Sequence, residues 1–179
     1  MRKERGVFQF CKETNLLLRD GGVFLVSKGS GKPNIMTIGW GFLGTFWRRP
    51  VFIVAVRHSR YTYELLEASS SFTVCLPGRG MEKALEVCGT KSGREIDKFK
   101  ELGLTPSNSY KVEAPFIEEC PVHYECEIIY KHGLEAEGIP REVVDEIYPS
   151  GNLHTLYYGE VKGVYAVEGA GEALKKWQT

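Results

Sequence analysis

The sequence holds no apolar run approaching the ~20 residues that span a bilayer as a helix. Its first residues, MRKERGVFQFCKETN, are basic but turn mixed and polar, without the apolar stretch and small-residue cleavage site of a secretory leader. A membrane association is therefore not expected, and the cytoplasm is the expected compartment. Charge of one sign is also missing: 23 Lys plus Arg against 23 Asp plus Glu leave a formal net charge of zero. No global field draws in nucleic acid, so any anion must be held locally. The five cysteines, Cys11, Cys75, Cys88, Cys120 and Cys126, are odd in number and irregularly spaced, which argues for reduced, buried thiols over a disulfide framework. There is no internal repeat and no low-complexity block.

Recognisable catalytic motifs are absent too. No Gly-x-Ser-x-Gly occurs, no Cys stands beside a His, and no helix carries a metal-binding pattern. Cys120, His123 and Cys126 have the composition of a metal site. On an alternating strand, however, His123 points away from both cysteines and a fourth ligand is missing, so no metal is expected. The loop Lys28–Pro33 (KGSGKP) lacks the upstream glycine of a nucleotide phosphate loop, has Pro33 where Ser or Thr belongs, and leads into a strand. No catalytic acid, base or nucleophile is assigned.

What is present is ordinary material for a core: 42% apolar and 26% charged residues in a length that suits one domain, 1–179. Leu16–Leu18 and Val23–Ser27, separated by Arg19–Gly22, read as a hairpin or two successive strands. From Asn34 the chain alternates, with Asn34, Met36, Ile38 and Trp40 on one face and Ile35, Thr37 and Gly39 on the other. Gly39 and Gly41 flank Trp40, which marks either close approach of another group, such as a flat ligand, or a bulged barrel corner with Trp40 in the core. A turn closed by Pro50 leads to the apolar strand Val51–Val56. Ser71–Leu76 is another strand, and Met81, Ala84, Leu85 and Cys88 fall at helical spacing. Ser92 with Glu95 forms a capping box for a helix at about Gly93–Leu102, with Gly103 past its end. Pro121–Lys131 alternates, a helix is expected from Pro140 to Ile147 with Val143, Val144 and Ile147 as its apolar stripe, and Leu153–Tyr165 returns to strand. Gly169–Thr179 is a tail with a terminal helix as one reading. Short strands with intervening helices, lacking strict βαβ alternation, indicate a mainly β fold with helices, a largely antiparallel barrel.

Two places suit an anion. Ser59 can cap a helix at about Arg60–Ala68 with Tyr61, Leu65 and Ala68 on one face; the first-turn N–H groups then stand beside Arg57, Arg60, Ser59 and Thr62. Arg94 and Lys98, four apart, put a second positive patch at a helix start. Each place taken alone reads equally as solvated charge beside an ordinary helix end. Together with a Gly-rich strand and its Trp, the set fits a phosphorylated aromatic cofactor better than acid/base hydrolysis.

Three ordered strings carry a resemblance: NIMTIGWGFLGTFWRRPVFIVAVRHSRYTYELLEASSSFTV, CGTKSGREIDKF and HTLYYGEV. Over about Leu16–Val164 the chain resembles the flavin reductase-like, FMN-binding split-barrel family, in particular its flavoredoxin-like members. The resemblance implies a split β-barrel and a homodimer with FMN near the interface. It implies that Asn34, Met36, Thr37 and Trp40 lie along the ring and ribityl portion, and that Arg57, Ser59, Arg60 and Thr62 hold the phosphate. Cys88, Gly89, Ser92, Gly93 and Lys98 would complete the pocket, with Lys98 near phosphate or ribityl oxygens. His154 matches a histidine that the family often places after Gly-Asp near the flavin edge; here Gly151, Asn152 and Leu153 precede it. The segment Gly133–Ser150 exceeds a minimal family member and is expected to lie over the pocket or its substrate side.

Three functions remain in view. One is an FMN oxidoreductase fed by NADH or NADPH that reduces flavin, ferric complexes or a partner protein. Another is an electron carrier with tightly bound FMN and little NAD(P)H activity of its own. The last is a non-enzymatic barrel acting as an interaction module.

Overall fold

The structure, a computed structural model, describes residues 1–174. It begins with a two-residue strand β1 (Lys3–Glu4) and a helix α1 (Cys11–Asp20). The helix corrects the hairpin expected at Leu16–Leu18. Thr14, Leu17 and Leu18 lie three and four residues apart and turn together into the core, and the N–H groups of Gly21 and Gly22 both return to Leu17 O to end the helix. Three adjacent leucines are compatible with strand or helix, and here burial of one helical face decides.

Then follow β2 (Val23–Ser27), β3 (Asn34–Ile38), β4 (Gly41–Phe46), β5 (Arg49–Arg57), α2 (Tyr61–Glu67), β6 (Ser71–Leu76), α3 (Glu82–Thr90) and α4 (Lys98–Leu102). The remainder comprises β7 (Pro106–Ser107), β8 (Phe116–Ile117), β9 (Val122–Gly133), a 3-10 turn at Ala136–Gly138, α5 (Arg141–Ile147), β10 (His154–Ala166) and α6 (Ala170–Leu174). The tail's expected helix is realised in α6, and residues 175–179 lie outside the described part.

One antiparallel sheet runs β3-β2-β6-β9-β10-β5-β4, with β1 added on β10. The sheet does not close. Its first strand and its far end come together only beyond β3, where Ala55 N donates to Trp40 O at 3.1 Å. The expected open, split barrel is therefore the architecture observed. Strand periodicity fills both faces: Leu25, Phe72, Val74 and Tyr124 pack inside the barrel with Phe52 and Val54, whereas Phe24, Val26, Ile35 and Cys75 meet Leu85, Phe99 and Ile117 under α3 and α4.

Four local expectations are revised. The β4–β5 turn is made by Trp47 and Arg48, at φ +51° and +62°, and Pro50 sits inside β5 opposite Thr45. Consecutive left-handed residues match the twist of a two-residue hairpin, so the turn forms without glycine. Trp40 is 46% exposed, which removes it from the core; the crowding at this corner belongs to Gly41, where a Cβ would stand 2.5 Å from Ile53 O of the neighbouring strand. The buried side of α2 is Thr62, Leu65 and Leu66, with Tyr61 half-buried and Ala68 exposed. Finally, α5 buries none of its residues, so Val143, Val144 and Ile147 do not form a packed stripe. Among the described residues no helix is long and apolar enough to cross a membrane.

Candidate functional site

Two adjoining clefts open where the sheet fails to close. The first, about 270 Å³, lies between the start of β3, the start of α2 and the loop after α3; Asn34, Ser59, Thr62, Ser92, Gly93 and Lys98 line it. The second, about 190 Å³, lies at the end of β3 against β5 and β10; Thr37, Trp40, Arg57 and His154 line it, together with Gly39 and Ala55. Met36 and Arg60 line both, so the clefts adjoin across these two side chains. The combined space falls in the range of roughly 300–1,000 Å³ usual for small-molecule sites.

In the first cleft the protein uses hydroxyl groups as acceptors. Asn152 Nδ2 donates to Ser59 Oγ at 2.7 Å, Asn34 Nδ2 donates to Thr62 Oγ1 at 3.0 Å, and Arg94 N donates to Ser92 Oγ at 3.2 Å. Each hydroxyl keeps its own hydrogen to give, and among the described residues no acceptor takes it. Three O–H donors around one space favour an oxyanion. Gly93 brings the loop in: a Cβ there would overlap Asn34 Oδ1 and stand 2.8 Å from Tyr61 Cδ1. A side chain at this position would displace the Asn34 amide or the Tyr61 ring, and with the amide the hydrogen bond that orients Thr62.

The arginines are differently employed. Arg60 donates to Gly89 O at 2.8 Å and Cys88 O at 3.4 Å, tying the start of α2 to the end of α3; burial lowers its pKa, although a guanidinium stays charged at neutral pH. Arg57 donates to Asn152 O and Ile147 O, both at 3.1 Å, and lies over the ring of Tyr148 at 5.1 Å. It therefore belongs to the second cleft, apart from Ser59 and Thr62, with which the sequence grouped it. Cys88 and Gly89 stand behind the wall and contribute their carbonyls. The Cys88 thiol is fully buried, and its pKa is pushed up to about 11 by that burial, against a smaller opposing pull from Lys98.

Two local assignments change with the geometry. Arg60, not Ser59, is the N-cap residue of α2 and makes no side-chain cap, because Ser59 is engaged with Asn152. The helix expected from Gly93 begins at Lys98, capped by Asp97, whose side chain accepts from Lys100 N. Ser92 instead closes a tight turn, accepting from Arg94 N on its side chain and from Glu95 N and Ile96 N on its carbonyl. Arg94 is exposed and paired with Glu64, whereas Lys98 is buried, so the two share no helix face.

The walls of the second cleft are aromatic. The rings of Trp40 and His154 meet at a tilt of 41° with centres 4.8 Å apart, and Tyr148 Oη lies 2.8 Å from His154 Nδ1. The His154 pKa is brought down to about 4, first by burial and then by the nearby Arg57 and His58, so the imidazole is neutral at pH 7. Tyr61, Thr90 and Lys91 also line the first cleft and were not singled out from the sequence, although they stand inside the recognised strings. Tyr148 carried no such signal.

The family model described as "Flavin reductase like domain" matches residues 19–178. An uncharacterized protein of Archaeoglobus fulgidus is 34% identical over 139 residues, which is 77% of this chain and 68% of that protein. Among solved structures, flavoredoxin of Desulfovibrio vulgaris (Miyazaki F) superposes with a TM-score of 0.66 at 27% identity, over 82% of this chain and 69% of that one. Flavoredoxin from Methanosarcina acetivorans does so with a TM-score of 0.63 at 28% identity, over the same shares. The chain belongs to the flavin reductase-like family.

Lys98 is the buried charge of this site. Its Nζ donates to Ile35 O at 2.8 Å and Cys88 O at 3.1 Å, so its ammonium fastens β3 to the end of α3. Burial brings its pKa down from 10.5 to about 8, with Cys88 opposing and Arg60 reinforcing the fall. Below pH 8 the folded and unfolded chains both hold the proton, and the cost of burying it is fully present. Between about pH 8 and 10.5 the unfolded chain binds more protons, so this group's contribution to stability rises with pH. Urea unfolding of wild type and Lys98→Met at pH 7.5 and pH 10 measures it. The wild type should gain about 2 kcal/mol on the variant across that interval; a constant difference would show that the buried amine does not titrate there.

Proposed function

We propose that this chain binds FMN across the joined clefts and acts as a flavoprotein oxidoreductase that takes electrons from NADH or NADPH and passes them to flavin, ferric complexes or a partner protein. The observation that carries the reading is the hydroxyl cradle of Ser59, Thr62 and Ser92, with hydrogens left to donate, adjoining a cleft walled by Trp40. The residues present fit the group. A phosphate takes the three O–H donors and the first-turn N–H groups of α2, with the Arg60 cation alongside. A flat ring takes the backbone of Met36–Trp40 and the faces of Trp40 and His154.

FMN, held by these residues, would supply the redox chemistry: acceptance of a hydride equivalent from a reduced nicotinamide and its release as two electrons to an acceptor. The protein's part is to bind and orient. Ser59, Thr62 and Ser92 would hold the phosphate end, and Arg57 places a positive charge beside the second cleft, where negative charge on the ring would be stabilised. No side chain is required to take a proton in the transfer. The resemblance to two flavoredoxins at 27% and 28% identity supports a second reading, an electron carrier with tightly bound FMN and little pyridine-nucleotide activity of its own.

The proposal includes a homodimer with FMN near the interface. Phe42, Phe46, Trp47 and Tyr130 are 40–59% exposed, and Phe46, Trp47 and Tyr130 touch one another and Tyr158 as one aromatic surface. Exposed aromatics clustered in this way suit contact with a second copy of the same surface. Phe42 stands two residues along the chain from Trp40, which supports a contact that extends toward the second cleft.

Three measurements test the reading. Thr62→Ala and Ser92→Ala should each weaken FMN binding about tenfold, while riboflavin, which lacks the phosphate, changes by less than about twofold; equal losses for both ligands would remove the phosphate assignment. Anaerobic mixing of the flavin-loaded protein with NADH or NADPH should bleach the flavin absorbance on the turnover timescale, whereas negligible bleaching at saturating nucleotide leaves the electron-carrier reading in its place. Sedimentation of the loaded protein should give a dimer that Trp47→Glu dissociates, and a loaded wild-type monomer would refute the interface.

A further inference from the structure

We infer that Tyr148, in the segment between β9 and β10, fixes the hydrogen-bonding state of His154 so that its Nε2–H is presented to the second cleft as a donor to an acceptor atom of a bound planar ligand. The identity of that ligand rests on the flavin reading; the state of His154 does not.

Tyr148 stands out within its segment. The preceding helix α5 buries nothing, yet Tyr148 is only 5% exposed. Its ring meets Trp40 edge-on at 6.5 Å, lies under the Arg57 guanidinium, and sends its hydroxyl to within 2.8 Å of His154 Nδ1. Arg57 grips the carbonyls on both sides of it, Ile147 O and Asn152 O, and the side chain of Asn152 exchanges hydrogen bonds with Ser59. The phenol is therefore held in place by backbone anchors that do not depend on its own hydroxyl.

The donor direction follows from counting hydrogens. Burial first, and then the nearby Arg57 cation, keep the imidazole neutral, so it carries one N–H. Were that hydrogen on Nδ1, the Tyr148 hydroxyl would have to accept it. The phenolic hydrogen would then have no acceptor among the described residues, an unpaired donor on a buried side chain. When Tyr148 donates to Nδ1, both hydrogens are placed: the phenolic one in the bond, the imidazole one on Nε2. Nε2 has no protein partner among the described residues. It is also absent from the fully enclosed unpartnered side-chain atoms, which belong to Arg2, Ser27 and His123, so it opens onto the cleft that His154 lines with Trp40 and Thr37. Tyr148 is thus a positioning residue: it acts through His154.

The test is nitrogen NMR of histidine-labelled protein, with the His154 ring signals identified by their loss in His154→Gln. In the ligand-free wild type at pH 7, His154 should show the Nε2–H tautomer. Tyr148→Phe keeps the ring against Trp40 and Arg57 and removes only the hydroxyl, so it should convert that signal to a mixture of tautomers while the melting temperature stays close to wild type. An Nδ1–H tautomer in the wild type, or an unchanged tautomer in Tyr148→Phe, would overturn the inference. If Tyr148→Phe does not fold, the wild-type tautomer alone decides. Adding FMN to the wild type should move the His154 Nε2 resonance together with the appearance of bound-flavin absorbance. Bound flavin with an unmoved Nε2 would overturn the ligand-facing half. No flavin binding at all would count against the flavin reading and leave the tautomer result standing.

Discussion

The site depends on a failure of closure. A sheet that curls round must either pair its last strand with its first or leave backbone groups looking for partners. Here β3 ends at Ile38, the chain kinks through Gly39 and Trp40, and β4 resumes against β5 at the opposite end of the same sheet. The bond from Ala55 N to Trp40 O carries the β4–β5 ladder one residue further, and beyond it the open edge of β3 faces the second cleft. Both clefts lie along this seam. The fold thus provides a slot along the open edge of β3, whose other edge is paired with β2, and the side chains around it refine what the slot accepts.

Around the seam, charge and hydrogen-bonding capacity are divided in a way that composition does not reveal. The buried Lys98 and the half-buried Arg60 and Arg57 all donate to backbone carbonyls, namely those of Ile35 and Cys88, of Gly89 and Cys88, and of Ile147 and Asn152. They brace the elements that form the walls. The groups left with something to donate are small hydroxyls, themselves oriented by amide donors from Asn152, Asn34 and the Arg94 backbone. Oriented in advance, such hydroxyls meet an anion with little reorganisation. The positive charges set the local potential without needing to touch the ligand.

Much of this was legible in the sequence. The alternation in Asn34–Trp40, Ser71–Leu76 and Pro121–Lys131 indicated a mainly β fold, the helical spacing of Leu85 and Cys88 located α3, and the ordered strings pointed to the family. Twelve of the fourteen residues singled out line the two clefts, and the other two, Cys88 and Gly89, stand directly behind them. What escaped was decided by tertiary competition. Leu16–Leu18 went to a helix because Thr14 shares its buried face, and the Ser92 box was spent on a turn before Asp97 could start α4. Ser59 was drawn away from capping by Asn152, a residue 93 positions distant. Tyr148 was invisible for the same reason: its importance lies in His154 and Arg57, and its own neighbours in the chain bury nothing.

The wall behind the first cleft carries a sulfur atom. A thiol is attacked by peroxide or alkylating reagents chiefly as the thiolate and chiefly where reagent can arrive. Cys88 has neither vulnerability: its proton is held by burial and its side chain has no exposed surface. The backbone carbonyl of the same residue meanwhile receives both Arg60 and Lys98. A cysteine here packs closely under the site while remaining chemically quiet, which makes the cleft durable in aerated solution, where an exposed thiol at the same place would be slowly consumed.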